Sequence, residues 1–352
     1  MVESFVVDLL DSGFRILAAA FRRLRDELAA SDELRSGVSE QGIDGVLDSD
    51  HPALAHLRKA RRELATQGEA DAEAAIAAAI RHAFPRDGVI GEENQHSPVA
   101  DARRIWLIDP IDGTSEAIRQ LIAGVCDVPR RARGTFAITV GAITSSTPEI
   151  GAVRELGFRD GELVQSDLWV GAPGGPTLCN GRPVRPRTHD GRKLGDATIA
   201  CTAPGVMFPR HLDGTESLPS LQFAALSGLV TRVVTGLNAV GAMRAAGGSV
   251  DAFVEADITA ADLCGLLGPL MGAGLTLSDL EGAPLQLDSR SLAAGPVRDG
   301  RRDGTYQIAA APPRLHLEIV EVMQRLRRGH PDARPPLGDT ASAHGYIRKA
   351  HV

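Results

Sequence analysis

The sequence predicts a mixed protein, α+β in its first half and α/β in its second. Three observations carry that reading. Near the N-terminus, residues 5–30 repeat apolar residues at three- and four-residue spacing, the period of a helix with one buried face, and a second stretch ends in an alanine-rich run of strong helix formers. Short apolar segments between residues 89 and 170 then read as strands of a mainly antiparallel sheet. Beyond residue 190, strand and helix patterns alternate, which marks a smaller α/β layer.

Taken in order, residues 5–30 predict one long amphipathic helix, loosened at Gly13. Residues 31–52 are polar, carry two glycines and predict a loop. A second helix is expected from Pro52 to Ala79, broken near Gly68 and ending in the alanine-rich run before the turn at Pro85–Gly88. Strands are expected at 89–90, 105–108, 135–143, 150–154 and 167–170. The Gly- and Pro-dense run 171–187 closes this half. Strands at 197–201, 231–234 and 252–254 alternate with helices at 221–229, 237–247 and 261–271, and a last helix spans 313–328. The expected units are therefore residues 1–185 and 186–330, followed by a polar, Pro-rich, disordered tail over 331–352. A chain of 352 residues agrees with about two domains at roughly 150 residues each.

Composition removes several function classes. A net charge of −7 argues against binding a nucleic-acid polymer, which calls for a basic face. Aromatic residues at 4% leave little for base stacking. Four dispersed cysteines without a CxxC pair give no zinc or disulfide framework, and reduced thiols suit a cytoplasmic protein. No apolar run reaches the roughly 18 residues of a membrane span, and the N-terminus lacks the basic start and cleavage site of a signal peptide. There is no HExxH, GxSxG, GxGxxG or GxxxxGK[ST].

What remains is a constellation of acids. GVIGEEN (88–94) is followed by RIWLIDPIDGTSEAI (104–118). An apolar strand ends in Asp109, Pro110 turns the chain, and Asp112 follows three residues on, with Gly113 and Thr114 behind it. Two carboxylates on such a turn can face one point, and Glu92 or Glu93 from the preceding strand end can join them. Acids gathered without compensation repel, so a shared site calls for a cation. All-oxygen donors suit a hard ion such as magnesium. Asp-Pro and Asp-Gly are ordinary turn formers; the whole string, with GEE upstream, is far more specific.

GEE and WLIDPIDGT together resemble the signature of the inositol monophosphatase-like superfamily, and the likeness extends over residues 60–290. CNGRPV (179–184) is similar to the turn between that family's two halves, and GGSVDAFVEADITAADLCGLL (247–267) to its second signature. The resemblance implies a layered αβαβα sandwich of the sugar-phosphatase type. It also implies magnesium-dependent hydrolysis of a small phosphate monoester, with two or three Mg2+ ions per site and a homodimeric assembly. Residue by residue, it makes Glu92, Asp109, Asp112, Asp262 and the Ile111 carbonyl metal ligands. It gives Thr114, with an acid such as Glu69 and with Glu92, the catalytic water, and it gives Asp112, Gly113, Thr114 and Glu255 to substrate. Asp262 stands at a helix start, where, apart from the resemblance, an N-cap role is the favoured reading.

The sequence also departs from the family pattern. Aligned without a gap, the second helix offers Glu69 where the family has aspartate, with Asp71 close by. Ala261 replaces the tryptophan that usually precedes the second-signature aspartate. Ser115-Glu116-Ala117 after DGT is nearer the bisphosphate nucleotidase or histidinol-phosphate branches. The segment 121–134 reads as a long loop whose Arg130, Arg131 and Arg133 could reach a second phosphate, although such runs are usually solvated. A small polyol, sugar or cyclitol phosphate is the first expectation, with histidinol phosphate or a 3′-phosphonucleotide second. A family scaffold that had lost catalysis and only binds a ligand is the rival class. The survival of Glu92, Asp109, Asp112, Thr114 and Asp262 argues against it.

Overall fold

The computed structural model describes residues 2–32, 34–39, 43, 67–93, 102–126, 136–185, 187, 191–201, 224–236, 238–294, 297–298, 301–302 and 305–327. Helices α1 (Val2–Ala29) and α2 (Glu69–Ala83) precede strands β1 (Gly88–Gly91) and β2 (Arg104–Asp112). Helix α3 (Thr114–Val125) leads to β3 (Phe136–Thr144), β4 (Thr147–Arg159), β5 (Glu162–Gly171), β6 (Leu178–Cys179) and β7 (Arg182–Pro183). These seven strands form one sheet in sequence order; β1 pairs parallel with β2 and every later neighbour is antiparallel.

The second sheet is built from β8 (Thr198–Cys201), β9 (Arg232–Thr235), β10 (Ala252–Ile258), β11 (Thr276–Ser278) and β14 (Tyr306–Ala311), in the order β11-β14-β10-β8-β9. Helices α4 (Asn238–Gly247) and α5 (Ala260–Gly272) flank β10 in sequence. After β11 come α6 (Ser289–Ala294), the small hairpin β12 (Val297–Arg298) and β13 (Arg301–Arg302), and after β14 comes α7 (Pro313–Arg327).

The layering follows from side-chain alternation. On β2, Trp106 and Ile108 join the core under α1 and α2, whereas Ile105 and Leu107 join the core under α4 and α5. On β10, Phe253 faces that same middle core while Ala252 and Val254 face a third core against α7. Both sheets are thus buried on both faces, which is why their strands read as nearly continuous apolar runs. The order is helix, sheet, helix, sheet, helix: an αβαβα sandwich.

Several expectations need correction. Gly13 does not loosen α1: the helix runs through it, and a Cβ there would lie 2.8 Å from Ile76 Cδ1, so it is a close-packing point between α1 and α2. Residues 34–39, expected in a loop, are helical, because Leu34 and Val38 bury one turn apart in the first core. Leu121–Val125, expected in the long loop, complete α3, where Leu121, Ile122 and Ala123 are buried. The second sheet's β11 and β14 were not expected. Residues 306–311 (YQIAAA) are buried throughout and so show no alternation. Residues 52–66 of the second helix, the arginines at 130–133, the start of the helix expected at 221–229 and the tail 331–352 lie outside the described residues.

Candidate metal centre

The end of β2 sets the site. Asp109 is fully buried and its Oδ1 accepts the Ile111 N–H at 2.9 Å, an Asx-type turn that closes the Asp-Pro-Ile-Asp string. The ladder with β3 slips between Asp109 and Asp112, so the chain bulges where the two acids stand. Gly113 then adopts φ 101°, a left-handed conformation that a side chain would strain, and α3 begins at Thr114. In the first turn of α3 the Glu116 and Ala117 N–H groups both donate to the Gly113 carbonyl, at 2.9 and 3.1 Å.

Three elements bring acids to one point. Glu92 follows β1, Asp109 ends the apolar part of β2, and Asp262 lies in the first turn of α5; their carboxylates stand within 4.8 Å of one another. Among the described residues, the buried Asp109 Oδ2 has no hydrogen-bond partner. A buried, orphaned acceptor among acids is the signature of a site that a cation completes, and an all-carboxylate donor set is that of a hard ion. Electrostatics agree. Burial, then the charges of Glu92, Asp262 and Asp112, holds the Asp109 carboxyl well above the usual range. Glu92 reaches solvent, yet the protein packed around its base, together with Asp262, pushes it up to about 7. Both shifts come first from burial and then from the crowding of negative charge.

The other candidates fall around this centre. Thr114 Oγ1 donates to Glu69 Oε1 at 2.9 Å and also lies 3.2 Å from the Ile111 carbonyl. Glu69 is buried at the start of α2; burial and its hydrogen bond to Glu93 raise it to about 9. It is therefore Glu69 that faces Thr114, while Asp71 is exposed and accepts from Gln67. Asp112 stands outside the three-acid group. Its Oδ2 accepts the Ala239 N–H at 2.5 Å, in the first turn of α4. Asp262 is not the N-cap: Thr259 caps α5, its Oγ1 accepting the Asp262 N–H and Asp262 Oδ2 accepting the Thr259 N–H, both at 3.3 Å. Glu255 lies on β10 opposite Ile308 and accepts the Ala256 N–H at 2.9 Å; it is buried, so it is not a solvated strand end.

Sequence reasoning missed Glu73. It lies one turn beyond Glu69 on α2, is wholly buried, and its Oε2 accepts the Glu93 N–H at 2.8 Å. The available signal was its place, four residues after Glu69 on a helix face otherwise lined by Ala72, Ile76, Ala77 and Ile80.

Comparison with known proteins gives the family. The sequence pattern of the inositol monophosphatase family matches residues 24–313. The chain belongs to that family. Inositol monophosphatase 1 of Rattus norvegicus is 24% identical over 243 residues, 68% of this chain and 79% of the relative. The inositol-1-monophosphatase of Bacillus subtilis is 24% identical over 271 residues, 75% and 91% of the two chains. A histidinol-phosphatase of Chlorobaculum parvum is 32% identical over 120 residues, 34% of this chain and 39% of the relative. In fold, the chain is similar to the staphylococcal IMPase-II structure, with a TM-score of 0.58 at 18% identity over 94% of this chain and 97% of the other. The structure of the inositol monophosphatase from Anabaena gives 0.55 at 22% identity over 77% and 88%. Family membership makes the protein a phosphoric monoester hydrolase, and its three-acid group is one that could hold a metal ion. No described helix is long and apolar enough to cross a membrane.

Proposed function

We propose that this phosphatase hydrolyses a small cyclitol, polyol or sugar monophosphate with Mg2+. The observation that carries the proposal is the orphaned Asp109 Oδ2 inside the Glu92–Asp109–Asp262 group, next to the Thr114–Glu69 pair. The naming of relatives as inositol-1-monophosphatases favours a cyclitol. Glu92, Asp109 and Asp262 would hold one ion, and Asp109, Asp112 and the Ile111 carbonyl are read as the shell of another. When bound, the ions lower the pKa of water and neutralise charge on the phosphoryl and leaving oxygens.

The chain's own residues do the positioning. The Thr114 hydroxyl gives its hydrogen to Glu69, so its lone pairs are left to accept a hydrogen from the attacking water and aim it at phosphorus. The amides of Gly113 and Thr114 at the start of α3 are read as the phosphate cradle, where helix ends favour anions. Asp112, through Ala239, ties the β2 turn to α4 and is read as a contact for a substrate hydroxyl. Glu255, from the other sheet, is read as a second hydroxyl acceptor. Phosphoryl transfer asks mainly for placement and charge stabilisation, so no covalent nucleophile is needed.

This reading makes residues 1–185 and 186–330 two halves meeting at the site, in a cytoplasmic homodimer of the kind the family resemblance implies. A second reading, histidinol phosphate, is favoured by the 32% identity to a histidinol-phosphatase. The test is phosphate release from inositol phosphates, sugar phosphates, histidinol phosphate and adenosine 3′,5′-bisphosphate, with and without Mg2+, with Asp109→Asn as control. Mg2+-dependent release lost in the variant is expected. Release that persists without Mg2+ or in Asp109→Asn would overturn the mechanism, and silence across the panel would overturn the substrate class.

A further inference from the structure

Glu92 is the most exposed of the three acids, so the backbone that carries it matters for where its carboxylate stands. That backbone is held on one side by Glu73. Glu73 is wholly buried on α2, one turn beyond Glu69, although a buried carboxylate is costly unless it is hydrogen-bonded. Its Oε2 accepts the backbone N–H of Glu93 at 2.8 Å, the residue after Glu92. On the other side, the Glu92 N–H donates to the Ile108 carbonyl at 3.1 Å, continuing the parallel pairing of β1 with β2. The two amides flanking the Glu92 α-carbon are thus held by different elements, α2 and β2. Gly91 completes the clasp: a Cβ there would fall on the Glu73 carboxylate, so the chain leaving β1 wraps directly against it. Glu73 itself stands outside the three-carboxylate group.

We infer that Glu73 is a positioning residue for the metal centre, acting through the Glu93 amide to fix the backbone from which Glu92 reaches the ion. The inference rests on the metal reading of Glu92, Asp109 and Asp262. Partners of this kind, one bond removed from a ligand, typically alter metal affinity 10- to 100-fold when removed.

The experiment measures Mn2+ binding, by calorimetry and by the loss of the free-ion paramagnetic signal, for wild type, Glu73→Gln, Glu73→Asp and Glu73→Ala, each first checked for cooperative thermal unfolding. Gln keeps the length and the acceptor but not the charge; Asp keeps the charge but is one methylene too short. Position therefore predicts that Gln stays within about fivefold of wild type while Asp and Ala weaken by about 10- to 100-fold. A role through charge alone predicts the reverse order. Asp binding as tightly as wild type, or Gln losing more than Asp, overturns the inference. A purely structural role, with lowered melting temperature and unchanged Mn2+ affinity in the folded variants, overturns it as well. Should the Ala variant not fold, the Gln–Asp comparison decides alone. Wild type binding no Mn2+ would overturn the metal reading itself, and the inference with it. Wild type that binds Mn2+ but releases no phosphate would overturn only the proposed substrate.

Discussion

Helix α5 carries Asp262, and how closely α5 approaches the first sheet sets the distance from Asp262 to Asp109. Gly265, one turn after Asp262, lies against β3; a Cβ there would stand 2.6 Å from Thr139 Cβ and 3.1 Å from the Val140 N. Thr139 is buried and is the register partner of Asp109. Ordinary contact begins at 3.4 Å, so Gly265→Ala must move helix and strand apart by at least 0.8 Å. Strand backbone cannot swing away as a side chain can, so α5 lifts and takes Asp262 with it. Overpacking of this kind costs about 1–3 kcal/mol, and the gain in helix propensity from Gly to Ala returns about 1 kcal/mol. The net loss is about 0–2 kcal/mol, a fall of about 3 °C or less in melting temperature for a chain of this size. Displacement near 1 Å in a catalytic array can cost about 100-fold in rate. The variant should therefore be folded, nearly as stable as wild type, and poor in both Mg2+ affinity and kcat/KM. The assay pairs thermal unfolding with Mg2+-dependent phosphate release, using Gly175→Ala, where a Cβ meets only ordinary contact, as control. Wild-type Mg2+ affinity and turnover in Gly265→Ala would refute the reasoning.

Other expectations follow from the same geometry. Thr114→Ala removes the hydroxyl bonded to Glu69 without touching the three-acid group, so kcat should fall by about 10²–10⁴ while Mg2+ affinity stays within a few-fold; an equal loss in both would place Thr114 in the metal shell. In metal-free protein the carboxyls of Glu69, at about 9, and Glu92, at about 7, are raised above the 4.5 of the unfolded chain. Their stability contribution is complete below pH 4.5 and is lost as pH rises through 7 and 9. Metal-free melting temperature should thus fall from pH 5 to pH 9, while the increment on adding Mg2+ grows, because bound ions favour the ionised carboxylates; an increment that shrinks over this range would contradict the acid cluster as the metal site. In the outer layer, Ser278 Oγ donates to the Asp279 carbonyl at 2.6 Å, so the Nε2 of buried His316, 2.8 Å away, must carry the hydrogen that joins them. Burial holds His316 below its usual 6.5, so its stabilising contribution is present above pH 6.5 and lost as pH falls. Glu318, one turn from Arg314 on the same helix, is tied to that arginine and to the Leu194 amide. Compared with wild type, His316→Gln should accordingly raise the melting temperature at pH 5 relative to that at pH 7; an unchanged difference between the two pH values would refute a contribution from His316.

The sequence by itself determined much of the chemistry. GEE, DPIDGT and the aspartate at 262 are legible because their residue types and spacing are local: a strand end, a turn and a helix start each announce themselves within a few residues. The amphipathic α1 and α7 were legible for the same reason, since a helix with one wet face writes its period into the chain. Elements buried on both faces do not. Strand β14, with YQIAAA enclosed between two cores, carries no alternation, and its alanines read as helix formers although β10 and β11 claim them on either side. Only tertiary structure decided which acids meet. Asp112, a ligand by its motif, has one oxygen on the α4 amide, whereas Asp262, a cap by its position, leaves the N-cap to Thr259 and turns to Glu92 and Asp109. Glu73 drew no notice in the sequence because its partner lies 20 residues away and is a backbone amide, a group that every residue but proline carries. Motifs fix what a side chain can do; the close packing of α5 and α2 against the first sheet fixes which side chains are near enough to do it together.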